Sequence, residues 1–272
     1  MLLASPGTAA TARSARRVAT RLEATDPAKA RRYFRAWLDG VDSLKPSSAE
    51  LQTVSDGLYR IARTLNGLDD RTVSLMDLKG KPVVDRGCWR EAARVHEFLI
   101  QSGGLGEKDA VLAVTRLAWC YGFGAESAAD WSKLKAHCEG LLQKPQLLNA
   151  NGGINANVLQ ANKWLAGIYF EYGNALRELG KAGQKFQLGN ALRVFNNLVE
   201  VTERESEPWW MAKYLSLRVL FERGDRTDIE TVGAAISITE TLHPAFDGGK
   251  FGMKEKFIEL RDEVRAVTNP RR

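Results

Sequence analysis

A tandem tryptophan inside a helix-forming run sets the strictest condition on this chain. In SEPWWMAKYLSLRVLFERGD, Ser206 to Asp225, apolar residues recur at helical spacing around Trp209 and Trp210. Adjacent helix positions point about 100° apart, so the two indoles cannot share one narrow stripe. Trp210, Tyr214, Leu217 and Phe221 make one stripe, and Trp209, Ala212, Ser216, Val219 and Leu220 make a second. Two stripes require packing neighbours on two sides, the situation of an inner helix in a stack. Gly224 follows where a left-handed residue suits the helix end.

The rest of the chain also reads as helix after helix. Residues 9–24 place Ala12, Ala15, Val18 and Leu22 on one side. Asp26-Pro27 has the form of an N-cap followed by proline at the first helical position. Ala30, Tyr33, Phe34, Trp37, Leu38, Val41 and Leu44 continue at helical spacing until Pro46. Ser47 to Glu50 is a capping box, and Leu51, Val54, Leu58, Ile61 and Leu65 follow as a stripe. Residues 66–86 differ. Their glycines, Pro82 and β-branched residues predict an irregular insert with a short hairpin around Lys79-Gly80. Helices resume over 87–157, with a second cap signature at Ser127 to Asp130 and an asparagine- and glycine-rich loop at 149–157. Four more helical stretches fill 158–244. The last helix, 251–267, is apolar at Met253, Phe257, Leu260, Val264 and Val267 and charged elsewhere, which suits the end of a stack.

Two stop glycines, Gly180 and Gly224, are separated by 224 − 180 = 44 residues, and each precedes a second helix. Tyr172-Gly173-Asn174-Ala175-Leu176 before Gly180, Ala191 and Phe195 as a small and a large packing position, and Pro244 as a closing proline resemble the tetratricopeptide-like helical repeats. The resemblance covers residues 158–244. It departs from the family in spacing, which there is about 34 residues, and in Leu217 where a small residue belongs. It implies one all-α repeat domain over residues 1–272, a right-handed α-solenoid of stacked antiparallel hairpins. It also implies a non-catalytic scaffold that docks a peptide or protein segment on a concave face. Polar residues on the first helices then become the partner-binding candidates: Asn162, Tyr169, Asn174, Arg177, Lys213 and Arg218.

A net charge of +6 permits an acidic partner without demanding nucleic acid. The excess is concentrated at the start. Arg13, Arg16, Arg17, Arg21, Lys29, Arg31, Arg32 and Arg35 face only Glu23 and Asp26 over the same span. This basic patch supports an alternative, a nucleic-acid-associated helical protein, although Tyr33, Phe34 and Trp37 fall on the apolar stripe where they cannot stack on bases.

Little points to catalysis. The histidines are His96, His137 and His243, each with a structural role as the expectation, and no metalloprotease, nucleotide-loop or nucleophile-elbow string occurs. Asp77 and Asp85 flank the insert and would serve an enzyme there, a third reading. Cys88 opens a helix whose dipole lowers a thiol pKa, but no base partner accompanies it. The three cysteines form no C-x-x-C pair, which fits a reducing, cytoplasmic compartment better than a disulfide framework. No cofactor or metal is expected. The start, MLLASPGTAATARSARR, lacks the apolar core of a signal peptide, and no run approaches the length of a membrane span. The chain is compatible with being one piece of a longer protein.

Overall fold

The computed structural model describes residues 9–68, 83–144, 154–161, 163–244 and 251–269. Among them every regular element is an α-helix, thirteen in all. The chain divides into two compact units, Met1–Asp130 and Trp131–Arg272.

In the first unit α1 (Ala9–Leu22) packs along α2 (Pro27–Asp39). The short α3 (Val41–Leu44) leads to α4 (Ser48–Leu65), α5 (Arg86–Ser102) and α6 (Glu107–Gly124), packed in succession. The caps are those the sequence predicts. Asp26 accepts from the Lys29 amide at 3.0 Å. Ser47 and Glu50 cap each other's backbone amides at 3.3 and 3.2 Å. Each such cap contributes about 1 kcal/mol and fixes where the helix begins. The stripe expected to run unbroken from Ala30 to Leu44 is interrupted at Gly40, and Lys45 turns left-handed at φ 44° ahead of Pro46. Proline disfavours helical backbone in the residue before it, so the chain must turn there. Phe34, Trp37, Leu58, Ile61, Trp89 and Val95 form the centre of this core. The hairpin expected around Lys79-Gly80 falls outside the described residues; Val84 beside it is exposed.

In the second unit α7 (Ala128–Leu142) starts three residues before the boundary, capped reciprocally by Ser127 and Asp130. Then come α8 (Ala156–Ala161), α9 (Lys163–Lys181), α10 (Phe186–Val201), α11 (Glu207–Arg223), α12 (Arg226–Leu242) and α13 (Met253–Thr268). α11 packs on α10, α12, α13 and α9, which is the two-sided burial that its two stripes require. Trp210 is fully buried and Trp209 nearly so, their rings perpendicular at 4.9 Å. At about 25 cal/mol per Å2 and roughly 200 Å2 of ring, each contributes about 5 kcal/mol of transfer free energy. Met253, Phe257, Leu260 and Val264 of α13 close the core, whereas Val267, expected with them, projects into solvent near the helix end.

One sequence expectation is corrected here. Gly180 does not end its helix; α9 runs on to Lys181, and the positive φ falls on Gly183. Gly180 is small for another reason: a Cβ there would lie 2.5 Å from Leu188 Cγ of α10. Gly173 likewise admits Phe195, whose ring would meet a Cβ at 2.5 Å. The left-handed glycines are therefore Gly183 and Gly224, separated by 224 − 183 = 41 residues rather than 44. The same step of 41 relates buried positions of α10 to those of α12: Leu188 to Ile229, Ala191 to Val232, Phe195 to Ile236 and Leu198 to Thr239. The counterpart of Gly173 is then Tyr214, not Leu217.

Candidate functional site

The polar residues assigned to a groove meet different fates. Asn162 lies outside the described residues. Tyr169 and Asn174 are 5% and 4% exposed, which leaves little of either for a partner. Their buried Oη and Nδ2 atoms have no hydrogen-bond partner among the described residues. Arg177 and Arg218 are engaged within the chain. Arg177 of α9 donates from Nε to Glu222 of α11 at 2.6 Å and makes a second, shorter bond through its terminal nitrogen. Arg218 of α11 donates to Glu222 at 3.2 Å and to Glu263 of α13 at 2.6 Å. The two inter-helix rungs, Arg177–Glu222 and Arg218–Glu263, each span 45 residues. Burial works to raise the Glu222 pKa, but the Arg177 hydrogen bonds and charge outweigh it and hold the carboxyl below its usual value. The Arg177 guanidinium is correspondingly kept charged against its desolvation. Charge-assisted pairs of this kind, part-buried and two-pronged, fix helix register more than they add net stability.

Lys213 is the exception. Its ammonium lies 4.7 Å from the centre of the Trp209 ring and 6.0 Å from that of Trp210. Burial and the nearby Arg204 charge both push its pKa down. Among the described residues it has no carboxylate partner. Indole faces offset part of that cost, about 1 kcal/mol, but they do not neutralise the charge.

The basic patch separates into two sets. Arg13 and Arg16 both reach Glu50 of α4, at 3.7 and 3.5 Å. Arg31 donates to Glu91 of α5 at 2.7 Å and also pairs with Asp85, while Arg35 donates to Glu91 at 2.8 Å. The Glu91 hydrogen bond is the main reason the Arg31 pKa is raised. Arg17, Arg21, Lys29 and Arg32 are exposed and have no side-chain partner among the described residues.

The candidates for catalysis resolve structurally. His96 is buried, with Nδ1 2.8 Å from the Ala92 carbonyl oxygen, which can only accept, so Nδ1 carries the proton. Burial lowers its pKa to about 4. His243 caps α12, pairs with Glu205 at 3.0 Å and sits edge-on to Trp210. Cys88, whose helix position suggests an activated thiol, is instead pushed up to about 12, because burial outweighs Arg31 and the helix end. Asp85 caps α5 and holds Arg31, and Asp77 lies outside the described residues. No group of His, Cys, Asp and Glu among the described residues is placed to hold a metal. Sequence reasoning missed one cluster: Arg116 of α6 lies 4.8 Å above the Tyr59 ring of α4 and pairs with Asp56. Its members lie up to 60 residues apart, and no local pattern announces them.

Together these features define an all-α protein with inter-helix arginine–carboxylate rungs in both units. Comparison with protein-family models, with curated proteins and with solved structures finds no match. No helix among the described residues is long and apolar enough to cross a membrane.

Proposed function

We propose that this chain is a non-catalytic protein-interaction scaffold that holds a peptide or protein segment against its second unit. The reading includes the right-handed superhelical stacking implied by the tetratricopeptide-like resemblance. Support comes from the side-by-side run of α9, α11 and α13 and from the step of 41 residues that relates α10 to α12. Arrays built from such units offer an extended surface made of many short contributions.

The observation that carries the proposal is Lys213. Arg177 and Arg218 are neutralised by Glu222 and Glu263, whereas Lys213 is half-buried on two indoles with no carboxylate among the described residues. A part-buried cation is costly unless paired, so the missing acid is supplied by the bound segment. The test selects peptides from a displayed library against the full chain and measures their affinity for the wild type, Lys213→Met and Lys213→Arg. Binding should fall at least about tenfold in Lys213→Met, with the melting temperature unchanged, and recover in part in Lys213→Arg. Selection of no peptide, or equal affinity for Lys213→Met, would overturn the reading.

A further inference from the structure

We propose that the exposed face of α1 docks an acidic helical segment of another protein, with carboxylates meeting Arg17 and Arg21. The proposal concerns the first unit and does not rest on the Lys213 reading.

The argument begins with how this unit uses its arginines. Arg13 and Arg16 hold Glu50, Arg31 and Arg35 hold Glu91, Arg60 holds Glu23, and Arg116 holds Asp56. Each pair joins residues on different helices or at a helix end, so a guanidinium meeting a carboxylate is the recurring polar contact between packed segments here. α1 packs on α2 and α3 through the face that carries Ala12, Ala15 and Ala19. Its opposite face carries Arg13, Arg17 and Arg21 at four-residue steps, about 6 Å apart along the axis. Among the described residues only Arg13 of the three meets an acid. The unfilled cations are thus of the same kind, at the same helical spacing, as those that elsewhere receive carboxylates.

The charge is complementary to an acidic partner, and the one-turn spacing of Arg17 and Arg21 matches carboxylates at i and i+4 of a facing helix.

Single-stranded nucleic acid fits less well. Base stacking needs open aromatic rings among the cations, but Phe34 and Trp37 are buried, and Tyr33 is partly buried against the core.

The experiment uses the full chain and three labelled probes: an alanine-based helical peptide with glutamates at i, i+4 and i+8, its glutamine counterpart, and a short uridine homopolymer. Fluorescence anisotropy should show the glutamate peptide binding, weakening with salt, and losing about tenfold or more in affinity in Arg17→Gln/Arg21→Gln. Neither arginine has a side-chain partner among the described residues, so the double variant keeps its fold, as circular dichroism and thermal melting would verify. The glutamine peptide should not bind. Equal affinity for wild type and double variant, or no glutamate-peptide binding, overturns the proposal. So does tighter binding of the uridine homopolymer with the same loss in the variant, which would assign the face to nucleic acid.

Discussion

Two sets of arginines at helical spacing behave oppositely in this protein. Arg177 and Arg218, on α9 and α11 of the second unit, are taken up by Glu222 and Glu263 and tie three helices in register. Arg17, Arg21 and Arg32, on the first two helices, remain open to solvent. Side-chain type and local spacing are alike. The difference lies in whether packing brings a carboxylate within reach, from 45 residues away in the second unit. A cation is free to bind a partner only when the fold leaves it unanswered, and Lys213 and the outer face of α1 meet that condition.

The contrast between the units can be broken first through acid titration. His96 is buried in the first unit with its pKa lowered from 6.5 to about 4. A neutral native histidine takes up its proton only on unfolding, so its contribution is present above pH 6.5 and lost as the pH falls towards 4. The wild type should lose about 3 kcal/mol of first-unit stability across that window. Hydrogen exchange resolved along the chain would locate the loss, and His96→Gln should flatten it. A loss shared equally by both units would remove the assignment.

The next largest effect concerns the second unit. Glu222→Ala leaves Arg177 with only the longer Glu178 contact and Arg218 with Glu263 alone, at a cost of about 2 kcal/mol in urea unfolding. The Glu222 pKa is lowered in the folded state, so its contribution is present above its ordinary value of 4.5 and disappears as the pH falls through the lowered value. Wild type and Glu222→Gln should therefore converge in stability at strongly acid pH and differ at neutral pH. The smallest effect sharpens the comparison from the other side. Arg17→Gln/Arg21→Gln should change unfolding free energy by no more than about 0.5 kcal/mol, since no contact is lost. A larger loss would mean that these arginines belong to the fold after all.

Much of the architecture was legible locally. The Asp26, Ser47 and Ser127 caps, the end of α11 at left-handed Gly224 and the burial of both tandem indoles follow from residues within a few positions of one another. The repeat step was not. Gly180 and Gly183 both lie where a helix is ending, and only the folded backbone shows that the first stays helical, its small size there admitting Leu188. The burial of two groove candidates was not legible either, for a related cause. Tyr169 and Asn174 are polar residues on a helix with buried residues around much of its circumference, so polarity did not mark an outer face.

The sequence by itself determined that this protein is helical, where many of its helices begin, and that α11 is enclosed, because capping and amphipathic periodicity act over one or two turns. The tertiary structure alone decided which cations are answered and what step relates the hairpins. Those depend on atoms brought together across tens of residues, where pairing is set by packing geometry rather than by any neighbour in the chain.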